Sequence, residues 1–365
     1  MNITIVAGAR PNFMKIAPII EAIETKKASG YDLNYRLVHT GQHYDKNLSD
    51  TFFEELNIPF PNTNLNVKSG TQAEQTGAIM IGFEKELKEN PCDLVLVVGD
   101  VTSTMACTIV AKKAHLKVAH VEAGIRSGDM KMPEEINRIV TDSLTDYFFT
   151  TSKQANENLI KVGVHSAHVF FVGNVMIDTL LKNFDRLKPP KIWNTCGLNT
   201  RKYIVMTLHR PSNVDEETKL VNLITCICKL AGELPVIFPV HPRTTKLLVQ
   251  LDLNLQNLHT IEPLGYLEFN YLVKHAKAVL TDSGGITEEA TVMNVPCITL
   301  RDTTERPETC TIGTNVLVGK DMEKIEAAFQ TLLSGNWKQG RVPELWDGHA
   351  ANRIIDELIE LYNIA

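Results

Sequence analysis

Short apolar runs recur along this chain, each followed by a glycine or polar residue and then by a helical pattern; that alternation constrains the fold most. Residues 3–7, 35–39, 94–98, 118–121, 147–150 and 169–172 read as strands, and a helix is expected over 12–25. Runs that are apolar almost throughout suit strands buried on both faces. They imply an α/β fold, a mostly parallel sheet with helices on both sides. A polar stretch containing Pro189-Pro190 spans 182–201 and reads as a linker. A second alternating series follows at 203–207, 235–238, 259–261, 278–280 and 296–300. Two Rossmann-like doubly wound domains, 1–180 and 181–349, are the economical reading, and a last helix near 350–362 can pack on either.

A length of 365 residues suits two domains, and 44% hydrophobic with 22% charged residues suits two sizeable cores. A net charge of −6 argues against binding nucleic acid through phosphate contacts. The seven cysteines show no ligand-like pairing, a pattern expected of a reduced, cytoplasmic protein. No apolar run approaches the roughly 20 residues that span a bilayer, and the first residues have no signal-peptide shape.

Open α/β sheets bind ligands beyond the carboxyl ends of their strands. Gly8-Ala9-Arg10, Gly41-Gln42-His43, Asp100, Glu122, His209, His241 and Ser283 all stand just past a predicted strand. The most informative turn is Asp282-Ser283-Gly284-Gly285, between an apolar run and a helical pattern. Such a turn aims backbone N–H groups and a helix start at a phosphate. Glu288 and Glu289, expected in the first helical turn, suit the hydroxyls of a ribose, and Arg306 offers a planar fork for phosphate. Together these residues point to a nucleotide diphosphate, and so to a nucleotide sugar.

Asp100 could simply cap the helix after its strand. Glu122 is harder to explain that way, because Ala123-Gly124 follow it instead of a helix start. Glu134 and Glu135 open another helix and could answer only its dipole. Carboxylates clustered beside Arg138 can raise one another's pKa, which is equipment for moving a proton. Arg10 and Lys15 stand where an anion would sit. His209, beside Arg210 at a strand end, is as easily structural as functional, and His241 has weaker support. The histidines lack zinc-ligand spacing, and no G-x-G-x-x-G, P-loop or G-x-S-x-G motif is present.

These residues resemble the non-hydrolysing UDP-N-acetylglucosamine 2-epimerases of bacteria and archaea over nearly the whole chain. The resemblance rests on Gly8-Ala9-Arg10-Pro11 with Lys15, Gly41-Gln42-His43, His120-Val121-Glu122-Ala123-Gly124-Ile125-Arg126, Pro133-Glu134-Glu135-Ile136-Asn137-Arg138, Thr207-Leu208-His209-Arg210, and the stretch 282–308. It implies a GT-B-like fold with the active site in an interdomain cleft, and a C-terminal helix, 350–365, that completes the first domain. It implies interconversion of UDP-N-acetylglucosamine and UDP-N-acetylmannosamine by loss and re-addition of UDP through 2-acetamidoglucal. No cofactor or metal is implied, and neither is a nucleic-acid or membrane partner. A homodimer is, and so is a product that feeds surface polysaccharide.

By the same resemblance Asp100, Glu122, Glu134 and His209 match catalytic positions. Arg10, Lys15, Arg138 and Arg306 match basic residues that bind substrate. Ser283, Gly284 and Gly285 match the diphosphate turn, Glu289 the ribose carboxylate, and Leu264 and Phe269 the uracil site. Gln42 and His43 match a second UDP-N-acetylglucosamine site that activates many bacterial members. Tyr44-Asp45 and Thr71-Gln72-Ala73-Glu74-Gln75 depart from that bacterial pattern. Tyr44-Asp45, with Phe52-Phe53-Glu54-Glu55-Leu56, resembles archaeal members and epimerases of UDP-2,3-diacetamido-glucuronate. The rival readings are that second epimerase, a hydrolysing epimerase that releases the free sugar, and a GT-B glycosyltransferase. The carboxylates of the first domain speak against the transferase.

Overall fold

The computed structural model describes residues 1–41, 55–210, 216–240 and 255–364, with Arg10 described by its backbone alone. Gln42, His43 and His241 lie outside the described residues. The chain divides into unit 1, Met1–Lys182 with Glu344–Ala365, and unit 2, Asn183–Pro343.

Unit 1 is built on a seven-stranded parallel sheet. Its strands are β1 (Asn2–Ala7), β2 (Asn34–His39), β3 (Thr63–Asn64), β4 (Leu94–Val98), β5 (Lys117–Val121), β6 (Tyr147–Thr150) and β7 (Val169–Phe171). They lie in the order β3-β2-β1-β4-β5-β6-β7, so the winding reverses between β1 and β4. Leu94, Val95, Leu96 and Val97 of β4 have no exposed surface, as an apolar run covered on both faces should not. One face is covered by the helices Gln72–Glu89 and Thr102–Lys113, which bring Ile79, Phe83, Ala106, Cys107 and Val110 onto Val6, Val38, Val95 and Val97. The helix Gln72–Glu89 starts in a capping box. Glu74 N–H donates to Thr71 Oγ1 at 3.2 Å, and Thr71 N–H donates to Glu74 Oε2 at 2.8 Å. The departure Thr71-Gln72-Ala73-Glu74 thus has a local structural role.

The last helix, Ala350–Tyr362, belongs to unit 1 and buries Ala351, Ile354, Ile355 and Leu358. Asp178 receives its first N–H groups, from Ala350 at 3.1 Å and Ala351 at 2.7 Å. Just before it, buried Trp346 donates its indole N–H to the Thr151 carbonyl at 3.0 Å.

Unit 2 repeats the winding with six parallel strands. They are β8 (Ile204–Thr207), β9 (Val236–Pro239), β10 (Leu258–Ile261), β11 (Ala278–Thr281), β12 (Cys297–Thr299) and β13 (Asn315–Leu317), in the order β10-β9-β8-β11-β12-β13. Its core gathers Ile204, Met206, Ile224, Ile227, Phe238, Leu280, Ile298 and Phe329. The edge strands β3 and β13 have no counterpart in the apolar pattern, being only two and three residues long. The proline-bearing stretch read as a linker folds onto unit 2. It contains the helix Lys191–Thr195, whose Trp193 packs edge-on against Tyr203 and Tyr271 with ring centroids 5.9 and 5.2 Å away.

Candidate active site

In unit 1 the candidate residues leave the carboxyl ends of β1, β4 and β5, around the reversal of the winding. After β1, the buried Asn12 side chain accepts the N–H groups of Gly8 and Ala9, each at 3.0 Å, and donates to the Val98 carbonyl at 3.1 Å. It thereby ties the β1 turn to the end of β4. One helical turn on, Lys15 Nζ meets Glu122 Oε2 at 2.6 Å, and both side chains are buried. An ion pair this short and this dry holds its carboxylate by charge and by direction. Gly99, at φ +67°, makes room for it, since a Cβ there would lie 2.7 Å from the Lys15 ammonium.

Glu122 itself has a φ of +71°, a left-handed conformation that side chains other than glycine seldom adopt. The N–H groups of Glu122 and Ala123 both donate to the Phe149 carbonyl, at 3.0 and 3.1 Å, and hold the strained turn in place. Strain of this kind collects at functional sites.

Asp100 is part-exposed and faces Arg138, whose Nη1 lies 2.6 Å from its Oδ2. Asn137 fixes the Asp100 carbonyl through its side-chain amide at 2.8 Å. Arg138 is aimed by buried Glu135, which takes its Nη2 at 2.6 Å and the N–H groups of Ser127 and Gly128 at 2.9 and 3.0 Å. Burial pushes the Glu135 carboxyl up, but these N–H groups and the guanidinium outweigh it and hold it below the ordinary carboxylate value. Glu135 is therefore a structural anchor, while Glu134 stands half-buried beside it in the first turn of the helix Pro133–Leu144. The expected crowding of carboxylates gives way to pairing. Asp100 and Glu122 each face a cation, because each follows a different strand and meets a different neighbouring helix.

In unit 2 the candidate residues leave β8 and β11, again where the winding reverses. Buried Asp282 takes the N–H groups of His209 and Arg210 at 3.1 and 3.0 Å, and its Oδ1 lies 2.7 Å from His209 Nδ1. The imidazole is mostly exposed, so its Nε2 is the ring nitrogen left to meet a ligand. Ser283 precedes the helix Gly284–Val292 and its side chain makes no capping bond, so the first N–H groups of that helix keep their capacity to donate. Glu288 and Glu289 fall in the second turn of this helix, one turn deeper than expected, and both are buried. Glu288 pairs with Arg306 Nε. Glu289 Oε1 accepts from Tyr266 Oη at 2.8 Å and from Asn270 Nδ2 at 3.3 Å. Burial pushes the Glu289 carboxyl up to about 7 against the pull of those two donors. Leu264 lies half-buried before the helix Tyr266–His275 and Phe269 half-buried within it. Arg301 grips Glu305 through two contacts of 2.7 Å, which sets the loop ahead of Arg306.

Reading residues in sequence gave Glu135 no more than a response to the helix dipole, and missed Asp142 and Asp282 as site builders. Asp282 and Glu135 lie inside recognised motifs, and that was a signal; Asp142 carried none. Among the described residues, no group of three His, Cys, Asp or Glu could hold a metal ion, and no helix is long and apolar enough to cross a membrane.

Two doubly wound units with parallel sheets, one with a glycine turn at a helix start and the other with cation-paired carboxylates, define a GT-B-like α/β enzyme of nucleotide-sugar chemistry. The family model for UDP-N-acetylglucosamine 2-epimerase matches residues 25–359. A UDP-N-acetylglucosamine 2-epimerase of Methanocaldococcus jannaschii is 41% identical, over 97% of this chain and 98% of that one. Its crystal structure, described as a complex with UDP-GlcNAc and UDP, superposes with a TM-score of 0.87 at 40% identity, over 99% of this chain and 100% of that one. A UDP-2,3-diacetamido-2,3-dideoxy-D-glucuronate 2-epimerase of Pseudomonas aeruginosa is 39% identical, over 99% of this chain and 100% of that one. The chain belongs to the UDP-N-acetylglucosamine 2-epimerase family.

Proposed function

We propose that this enzyme inverts C2 of UDP-N-acetylglucosamine without hydrolysing it. A carboxylate of unit 1 takes the C2 proton as the C1–O bond breaks. The electron pair of the C–H bond becomes the C1=C2 double bond of 2-acetamidoglucal, and the bonding pair to oxygen leaves with UDP. UDP then adds back at C1 while a proton is delivered to the opposite face of C2. Asp100, Glu122 and Glu134 share these transfers. His209, held by Asp282, and the Ser283-Gly284-Gly285 turn hold the diphosphate, with Arg10, Arg138 and Arg306 supplying further positive charge. Glu289 takes the ribose, and Leu264 and Phe269 flank the uracil.

The observation that carries this reading is the buried Lys15–Glu122 pair, because an ammonium 2.6 Å away favours the ionised carboxylate that a base must be. The test is incubation with UDP-N-acetylglucosamine in D₂O, followed by NMR of the sugar H2 and anomeric protons. UDP-N-acetylmannosamine carrying deuterium at C2 is expected. Free N-acetylmannosamine with UDP would point to the hydrolysing reaction instead. The 39% identity to the Pseudomonas aeruginosa enzyme supports a second substrate, UDP-2,3-diacetamido-glucuronate, which is the one to supply if the first is untouched. A homodimer and an activating UDP-N-acetylglucosamine site at Gln42 and His43 belong to the same reading. Sedimentation and the curvature of rate against substrate concentration check them.

A further inference from the structure

His120 is fully buried two residues before Glu122, and the proposed chemistry leaves it idle. Its Nδ1 lies 2.7 Å from Asp142 Oδ1 and its Nε2 lies 2.8 Å from the Gly99 carbonyl oxygen. A carbonyl only accepts, so Nε2 carries a hydrogen. A carboxylate only accepts as well, so with Asp142 ionised Nδ1 carries one too. Asp142 is 3% exposed, and its second oxygen takes the Gly124 N–H at 3.1 Å and Arg126 Nη1 at 2.6 Å. Three donors surround this carboxylate, the environment that keeps a buried carboxyl ionised. Burial pushes Asp142 up, but His120 and Arg126 outweigh it and hold it below the ordinary value.

The positions of these partners give the cluster its meaning. Gly99 immediately precedes Asp100. Gly124 and Arg126 close the strained turn that begins at Glu122. Asp142 lies one helical turn beyond Arg138, the partner of Asp100, on the same helix. One buried chain of hydrogen bonds thus joins both carboxylate-bearing turns to the helix that carries Arg138. A charged imidazole is costly to bury, and a neutral ring bonded once would satisfy packing alone.

We propose that His120 and Asp142 are positioning residues, with His120 a doubly protonated ring that fixes the Asp100 and Glu122 turns relative to each other. The assignment rests on the proposed epimerisation for its kinetic consequence, but not for its spectroscopic one. In full-length protein labelled with ¹⁵N-histidine, His120 is expected to show two protonated ring nitrogens at neutral pH. The Nδ1 proton should be shifted far downfield by Asp142. Asp142→Asn is expected to remove that downfield signal and lower kcat for C2 exchange by about 10²-fold, the cost of misplacing reacting groups by about an ångström. KM and the Kd for UDP are expected to change far less than kcat, since His209 and the Ser283-Gly284-Gly285 turn of unit 2 are undisturbed. An unprotonated His120 ring nitrogen overturns the proposal, and so does an Asp142→Asn enzyme with parental kcat. If that variant fails to fold, the parent spectrum still decides. A parent enzyme that turns over no UDP-sugar sinks the proposed function and leaves the spectrum to judge the pair.

Discussion

Glu122 combines a left-handed backbone, a buried carboxylate and a lysine at 2.6 Å, and each of these is replaceable by mutation. Glu122→Gln is expected to lose about 10²–10⁴-fold in kcat while UDP still binds, the usual weight of one positioned acid or base. Near-normal turnover would remove Glu122 from the chemistry. Lys15→Met removes the ammonium from the buried Glu122 carboxylate and is expected to cost about 1.5–3 kcal/mol of stability, the weight of one hydrogen bond to a charged group, measured by urea denaturation. A loss below 1 kcal/mol would mean that water or another donor reaches Glu122. Glu289 bears on pH. Its carboxyl is pushed up to about 7 from an ordinary 4.5, so between those values the unfolded chain ionises while the folded one stays protonated. Stability therefore falls as pH rises through that window. Glu289→Gln, which imitates the neutral form, is expected to match the parent near pH 5 and to melt above it at pH 8. Identical melting at both pH values would show that Glu289 ionises normally. At this scale the sequence was legible where a motif sets spacing, as in Glu134-Glu135-Ile136-Asn137-Arg138. It was silent where a partner is distant: Lys15 and Glu122 are 107 residues apart, and nothing local announces their pairing.

The elements were legible wherever burial is complete. β4 and β11 read as strands because every residue between their ends must be apolar to be covered twice. β3 and β13 did not, because edge strands of two and three residues carry too little pattern to register. The stretch 182–201, at whose start the two units divide, holds more structure than its composition suggested. Its prolines and polar residues suggested a linker, yet one aromatic, Trp193, anchors it to Tyr203 and Tyr271. The C-terminal helix illustrates how an element is placed by one polar group. Asp178→Ala deprives Ala350 and Ala351 of their acceptor and is expected to destabilise unit 1 by about 1–2 kcal/mol, the cost of losing a helix cap. Hydrogen exchange should quicken in 350–362 first, and unchanged exchange there would mean that Trp346 and the apolar face hold the helix unaided.

Each unit closes its own core, and each presents its chemistry where its winding reverses. UDP is expected to slow hydrogen exchange at 207–210 and 281–289 of unit 2 and to leave the β1 and β6 core of unit 1 unchanged. Uniform protection of both units would contradict a nucleotide held by unit 2. The alternation of apolar runs with helical patterns sufficed to determine an α/β chain with two parallel sheets, because burial on both faces dictates residue type locally. The motifs at strand ends likewise carried the resemblance to the family whose model matches residues 25–359. Only the tertiary structure decided which carboxylate faces which cation, that Glu135 anchors and Glu134 does not, and that His120 bridges Gly99 to Asp142. Those pairings depend on which strands lie side by side, and residues far apart in the chain become electrostatic partners only once the sheet has been wound.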